Sequence, residues 1–189
     1  MADDIFLSPE EQDERAKQWL KDNGLAIFVG IALGFGAIFG YNQYKDRVKS
    51  NAEQASALFG IAIEKVTDSK DADVSAQVDQ LKEKYAASSY ASKAVLLSAS
   101  QKAVNDLDGA FAELQWVVDN APESGLVHTA RIRQAKIKLS QGDLDAVRTL
   151  ASPASLDGFD SHYNELLGDV EVKAGNLEQA RGHYQSAIE

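Results

Sequence analysis

The residues most suggestive of chemistry are the glycines of the segment Gly34-Phe35-Gly36-Ala37-Ile38-Phe39-Gly40. Closely spaced glycines let a backbone approach a phosphate group, as in dinucleotide-binding turns. Here the last glycine comes one residue later than that fingerprint requires, no strand-turn-helix pattern frames the segment, and no acidic residue follows at the expected distance. The Gly-Lys-Ser/Thr of a P-loop is also absent. The spacing therefore argues against a nucleotide site.

The other reactive residue types do not indicate an enzyme either. The chain has no cysteine, no Gly-x-Ser-x-Gly and no His-Glu-x-x-His. His128, His162 and His183 fall in different predicted helices without metal-ligand spacing, and a lone helical histidine is ordinarily a surface or packing residue. The net charge of −10 argues against nucleic acid, because binding requires Lys and Arg to replace counterions. We therefore predict a non-enzymatic protein with no metal and no cofactor.

The same glycines lie in an uncharged segment, residues 23–44, of a chain that is otherwise acidic and 25% charged. As a helix, 22 residues span roughly 33 Å, close to the ~30 Å hydrocarbon core of a bilayer. Trp19 stands at one edge and Tyr41 and Tyr44 at the other, where aromatic rings favour the headgroup zone. An acidic stretch precedes the segment and no cleavage site follows, unlike a signal peptide. We predict a single transmembrane helix over 23–44.

The glycines suit packing between membrane helices. Gly30 with Gly34 and Gly36 with Gly40 are small-xxx-small pairs, which let two helix backbones approach closely in lipid. On a helix the two pairs point to faces roughly 120° apart, so one helix offers two contact surfaces. The alternative is that these glycines have no partner, since glycine is frequent in membrane helices.

The residues before the anchor predict a short helix, with Ser8 as N-cap, Pro9 in the first turn and Glu11 closing a capping box. The positive-inside rule does not orient the anchor, because each flank carries three basic residues. They are Arg15, Lys17 and Lys21 on one side and Lys45, Arg47 and Lys49 on the other.

From Ser50 onward the apolar spacing predicts helix throughout, which makes the protein all-α. Residues 51–87 form a degenerate hairpin. Three later segments, 105–118, 142–155 and 175–188, each open with Gly or Asn, then Asp or Asn, Leu and an acid. Their starts are 37 and 33 residues apart, in the range of helical repeat arrays. The alternative is a set of unrelated helical hairpins.

Small residues recur at fixed offsets from these openings, where the two helices of a hairpin are expected to cross. Larger groups nine residues after the opening are expected to pack against the next hairpin in the first and third units. Pro153 should cut the second unit short. Because the last unit has no polar capping helix, we also expect the natural protein to extend beyond Glu189. The repeat positions are Ser98, Ala135 and Gly168, then Ala110, Val147 and Ala180, then Leu114, Ala151 and Tyr184, with Gly175 at the third turn.

This is the tetratricopeptide pattern, and we predict one transmembrane helix followed by a tetratricopeptide-like array of about four helical hairpins. The whole chain resembles the ancillary SecYEG translocon subunits of Gram-negative bacteria, the YfgM type. The most particular part of the resemblance is the junction KQWLKDNGLAIFVGIALGFGAIFGYNQYKD, with its aromatic-rich helix, Asn-Gly and glycine-spaced anchor.

The resemblance implies an inner-membrane protein with residues 1–22 in the cytosol and residues 45–189 in the periplasm. It implies association with the SecYEG translocon and with the membrane-anchored chaperone PpiD, and assistance to exported unfolded proteins on their way to chaperones. It also implies a link to negative control of a stress phosphorelay. Two alternatives stay open: a scaffold for another envelope complex, and an adaptor of opposite topology whose repeats face the cytosol.

The first helix of each hairpin in such arrays lines a concave surface. By register, this groove is small and apolar at one end and acidic at the other, and would suit a helix or an extended segment. The alternative is a spacer that binds nothing. The predicted groove residues are Ser92, Val95 and Ala99, then Thr129, Ile132 and Lys136, then His162, Glu165 and Asp169.

Overall fold

The computed structural model describes residues 9–70 and 72–189, which form eight α-helices and no β-strand. The prediction of an all-α fold is therefore confirmed. The chain divides into an N-terminal unit, residues 1–50, and a repeat unit, residues 51–189. The helices are α1 (Pro9–Asp68), α2 (Ser75–Lys84), α3 (Ser89–Lys102), α4 (Leu107–Asn120), α5 (Ser124–Gln141), α6 (Leu144–Leu150), α7 (Asp160–Ala174) and α8 (Leu177–Ile188).

Helix α1 covers three segments that were predicted separately: the short N-terminal helix, the transmembrane helix and the first helix of the degenerate hairpin. It begins at Pro9, with Glu10 and Glu11 in the first turn, where carboxylates favour the positive end of the helix dipole. The predicted cap Ser8 lies outside the described residues. After Pro9 no proline interrupts the helix, and proline is the residue that breaks a helix most strongly. Within the described residues, α1 is the one helix long and apolar enough to cross a membrane, and none of its apolar stretch is buried.

The first hairpin of the repeat unit consists of the end of α1, from residue 51, and α2. Ala55 and Ala62 share a core with Val78 and Leu81 of α2. The Lys65 ammonium donates to Gln77 Oε1 at 3.2 Å. The degenerate hairpin expected from the sequence is therefore present.

The other hairpins are α3–α4, α5–α6 and α7–α8, and their turns fall at the predicted repeat openings. Asp106 and Asp143 cap α4 and α6, accepting hydrogen bonds from the backbone N–H groups of residues three further on at 2.8 and 3.1 Å. Gly142 and Gly175 end α5 and α7 with φ of 79° and 83°, a left-handed conformation that favours glycine.

Helix α6 is the short one, ending at Leu150 after seven residues. The prediction that Pro153 cuts this helix short agrees with that end, because the residue before a proline is disfavoured in helical conformation. Residues 151–159 then lead to α7 without regular structure.

The repeat unit has two hydrophobic cores. The first joins the end of α1 to α2, α3, α4 and one face of α5, through residues such as Ala130 and Ile137. The second joins the other face of α5, through Ile132 and Ala135, to α6 and α7. Helix α5 is thus shared between the cores because it is apolar on two faces. The buried side chains of the second core are Ile132, Ala135, Val147, Ala151, Tyr163, Leu166 and Val170.

Candidate functional site

The paired glycines of α1 leave open surface. A methyl group added at Gly30, Gly34, Gly36 or Gly40 would meet no atom within 4 Å in the described residues, apart from the backbone of the helix itself. Two approaching helix backbones need surfaces of this kind. Both glycine pairs are therefore free to receive a partner helix.

The small repeat positions are buried. Ala110, Val147 and Ala180 after the turns, and Ala135 before one, are almost completely enclosed, as is Ser98. Because they are buried, none of them remains available to a ligand.

Gly168 lies directly against the ring of Tyr184. A Cβ atom there would lie 2.5 Å from Cε1 of Tyr184, well inside van der Waals contact. Tyr184 was expected to pack against a following hairpin; instead its ring lies across α7 in its own hairpin. Its hydroxyl donates to Asp169 Oδ1 at 2.7 Å. This bond to a carboxylate, reinforced by burial, raises the pKa of Tyr184 to about 12.

The predicted groove is corrected at its first helix. Val95 is completely buried and Ala99 is 2% exposed, and both belong to the first core. Ser92 is completely buried as well. The reason is that α3 is small and apolar on most of its circumference, and such a helix is enclosed on all sides rather than half exposed. The expectation that α3 presents Ser92 and Val95 to an open surface was therefore wrong, and Ala99 keeps only an edge exposed.

On α5, the predicted groove residues range from buried to exposed. Ile132 of α5 is 8% exposed and lies in the second core, so it too is corrected. Thr129 is half-buried and donates to the carbonyl of Gly125, while Lys136 is exposed.

The α7 residues of the predicted groove form a separate acidic surface. His162 and Glu165 are exposed, and Asp169 is half-buried beside Tyr184. The structure therefore does not join the nine predicted residues into one continuous groove. Lys136 and the edge of Ala99 instead border a smaller groove at the ends of α3 and α5.

The hairpins, their turns and their buried small residues form a repeat architecture, and comparison with known proteins agrees. The model of the tetratricopeptide repeat-like domain matches residues 17–189. The chain belongs to this family. No solved structure matches the chain.

Four curated relatives of this tetratricopeptide repeat-like chain carry one name, ancillary SecYEG translocon subunit. The relative from Haemophilus influenzae is 25% identical over 96% of this chain and 89% of its own length. The relative from Escherichia coli is 25% identical over 98% of this chain and 89% of its own. The relative from Neisseria gonorrhoeae is 28% identical over 97% of this chain and 88% of its own. The resemblance recognised in the sequence is confirmed over nearly the whole chain.

A buried polar cluster in the second half of this tetratricopeptide repeat-like domain was not foreseen. His128 of α5 is 3% exposed, and its Nδ1 atom shares a hydrogen bond with the Tyr163 hydroxyl at 2.7 Å. Its Nε2 atom lies 3.3 Å from Asp157 Oδ2, and its ring stacks on Phe159 with 4.8 Å between centroids. The cluster ties α5 to α7 and to the segment 151–159. Sequence reasoning treated His128 as isolated because its partners lie 29 and 35 residues away.

Two residues of the cluster have shifted pKa values. Hydrogen bonds from Ser155 and then from His128 lower the pKa of Asp157. Burial raises the pKa of Tyr163. Neither shift creates a nucleophile or a general base near neutral pH, and no three His, Asp or Glu side chains in the described ranges converge as metal ligands. The cluster is a packing element, because every member serves to hold two helices and a loop together.

A second network joins α6 to α7. Glu171 is 8% exposed and accepts hydrogen bonds from Asn176 at 2.7 Å and from Arg148 at 3.1 Å. These bonds, first from Asn176 and then from Arg148, lower the pKa of Glu171. The network therefore holds α6 against α7.

Proposed function

We propose that the protein is a non-enzymatic adaptor of the SecYEG translocon in the inner membrane, which helps exported proteins pass to periplasmic chaperones such as a PpiD-like membrane-anchored chaperone. The observation that carries this proposal is the similarity to ancillary SecYEG translocon subunits over 96–98% of this chain. The combination of a membrane-length helix with a repeat unit built for protein contact supports it.

In the proposed arrangement, residues 23–44 span the membrane, residues 1–22 lie in the cytosol and residues 45–189 lie in the periplasm. The membrane helix supplies the permanent contact to the translocon, through one of its glycine pairs, and the repeat unit receives proteins on the far side. Lipid surrounds the remaining apolar side chains of α1, such as Leu33 and Phe39, which are exposed along the helix.

Co-purification in mild detergent tests the partner. We expect SecYEG and the PpiD-like chaperone to be retained by the wild-type chain and lost from the double variant Gly30→Leu/Gly34→Leu, because leucine side chains hold a partner helix away and forfeit close contact. The variant Gly36→Leu/Gly40→Leu is the matched control on another face, and should lose a different partner or none. If all three chains retain the translocon equally, the glycines are not the contact.

Crosslinking in native membranes separates the translocon from other envelope complexes. Crosslinks from the repeat unit to SecYEG or to the PpiD-like chaperone support the proposal, whereas crosslinks confined to division or outer-membrane assembly proteins would refute it. Protease added outside spheroplasts tests the topology. It should remove the repeat unit, and complete protection would establish the opposite orientation.

A further inference from the structure

A groove of about 360 Å³ opens between the C-terminal ends of α3 and α5 and the beginning of α4. Its apolar lining, called the floor below, consists of Ala99, Ala103, Leu107, Leu114 and Ile137. This volume is at the lower end of the range found for ligand pockets in proteins. The groove lies entirely within the repeat unit, between the first and second of the related hairpins.

The groove exists because its two walls differ in side-chain length. The residues that α3 contributes to the lining are short (Ala99, Ser100 and Ala103), while α5 contributes the long side chains of Arg133 and Lys136. Short side chains opposite long ones leave space that neither helix fills.

The serine hydroxyls that line the groove already have hydrogen-bond acceptors within the protein. Ser100 Oγ donates to the Leu97 carbonyl and Ser140 Oγ donates to the Ile137 carbonyl, each at 2.7 Å. Their hydrogens are used within their own helices. The floor therefore presents an almost purely apolar surface, and its natural occupant is an apolar side chain.

The rim of the groove carries positive charge without a countercharge. Within residues 9–70 and 72–189, no carboxylate pairs with Arg133 or Lys136, and Arg133 uses one N–H to donate to the Leu96 carbonyl at 3.2 Å. By contrast, Lys102 and Lys82 both form ion pairs with the single carboxylate of Glu113, at 2.7 and 3.3 Å. In a chain of net charge −10, two unneutralised cations beside an apolar floor form a local site for an acidic partner.

We propose that this groove binds a peptide segment that places a large aliphatic or aromatic side chain on the floor and a carboxylate against Arg133 and Lys136. An anion alone would leave the apolar floor exposed to water. A second copy of the chain would need a far larger contact, since stable interfaces bury roughly 1,200–2,000 Å². The inference deepens the proposed adaptor function. It rests on that function in one respect, because both require a protein partner.

Peptide binding to the purified full chain in phosphatidylcholine nanodiscs tests the groove. The probe is a fluorescein-labelled helix-forming peptide of about 14 residues, with leucines on one face and glutamates beside them. Two companion peptides carry lysine or glutamine in place of every glutamate. Fluorescence anisotropy gives the dissociation constant of each peptide.

Two variants and one control decide the outcome. In Arg133→Glu/Lys136→Glu, affinity for the glutamate peptide should fall by roughly tenfold or more, because two exposed charge pairs become repulsive, and affinity for the lysine peptide should rise. Ser100→Leu, at an exposed wall position, should abolish binding by filling the groove. The control Lys84→Glu/Arg181→Glu makes the same change in net charge elsewhere and should bind like wild type. Circular dichroism of each variant verifies that the helices are intact.

The proposal is overturned if the wild-type chain binds no glutamate peptide, if the charge reversal and Ser100→Leu leave its affinity unchanged, or if the chain is a dimer that Ser100→Leu dissociates. Retention of SecYEG by a variant that has lost the peptide supports the groove as a separate peptide site. Failure of the wild-type chain to retain SecYEG would refute the proposed translocon role, and the affinities of the purified chain would still decide the groove.

Discussion

The second and third related hairpins, α5–α6 and α7–α8, solve the same packing problem in different ways. In α7–α8 a glycine, Gly168, lets the ring of Tyr184 cross the helix at van der Waals distance. In α5–α6 the corresponding positions hold Ala135 and Ala151, and α6 has only seven residues. The third hairpin fills its helix crossing with the Tyr184 ring, whereas the second hairpin has only Ala151 at the corresponding position.

The second hairpin has no aromatic side chain at its helix crossing, and contacts from α7 and from the segment 151–159 hold it instead. Arg148 of α6 bonds to Glu171 of α7, and His128 of α5 holds Asp157 and Tyr163. The difference teaches that small residues set where two helices cross, while the group that fills the crossing can come from another element. The second hairpin therefore depends on α7 and on the segment 151–159 for contacts of this kind.

The largest expected effect comes from filling the close crossing of the third hairpin. Gly168→Leu should lower the free energy of unfolding of the repeat unit by about 1–3 kcal/mol or more, because overpacking displaces the Tyr184 ring and both helix backbones. Thermal melting followed by circular dichroism measures it. Gly182→Leu is the matched control in α8, since a Cβ atom there meets nothing within 4 Å of the described structure. A glycine removed from an open helix position should leave the melting temperature unchanged or raise it.

Exposed Glu178→Gln serves as a second control and should also be near neutral. Melting curves that are alike for the Gly168 variant and both controls would show that the assigned repeat register is wrong.

Removing the hydrogen bond between Arg148 of α6 and Glu171 of α7 should have the next largest effect. Hydrogen bonds from Asn176 and Arg148 lower the folded-state pKa of Glu171 below its unfolded value, so its contribution to stability is present above the unfolded pKa and is lost as pH falls through the folded pKa. Glu171→Gln should therefore destabilise the protein at neutral pH and flatten the loss of stability on acidification. Melting temperatures between neutral and acidic pH measure both effects. A variant whose acid dependence parallels that of wild type would show that other carboxylates govern it.

The fold could be predicted from the sequence only where local signals determine it. The all-α class, the hairpin turns near residues 105, 142 and 175 and the short α6 follow from local signals: apolar spacing, Asp caps, turn glycines and a proline. The burial of Val95 and Ala99 does not, because a helix of small residues has no strongly polar face that would indicate its exposed side. The His128 cluster and the Arg148–Glu171 bond join residues 23 to 35 positions apart, and no local pattern records which helices will meet.

A smaller effect, at alkaline pH, distinguishes the third hairpin from the second. The bond to Asp169 raises the folded-state pKa of Tyr184 to about 12, above the ordinary value of about 10. The stabilisation by neutral Tyr184 is thus complete below pH ~10 and is lost as pH rises towards 12. Tyr184→Phe keeps the ring over Gly168 and removes the hydroxyl. We expect it to be mildly destabilised at neutral pH and to lose less stability between pH 10 and 12 than wild type.

The control for removing a tyrosine hydroxyl is Tyr85→Phe, just after α2, where the hydroxyl donates to an uncharged amide of Gln54 at 3.0 Å. Identical alkaline profiles for wild type and Tyr184→Phe would contradict the role assigned to Asp169.

The smallest effect should come from the proline that follows α6. Pro153 has no N–H and disfavours helical conformation at Ser152, whereas an alanine in its place would permit one further turn. We expect Pro153→Ala to lengthen α6 by about a turn, seen as hydrogen-exchange protection of amides 152–155, while stability changes by less than about 1 kcal/mol. The change is small because a longer α6 gains no aromatic contact like that of Tyr184. If those amides stay unprotected, the end of α6 is set instead by the segment that His128 holds at Asp157, and the second hairpin depends on its neighbours for its length as well as its packing.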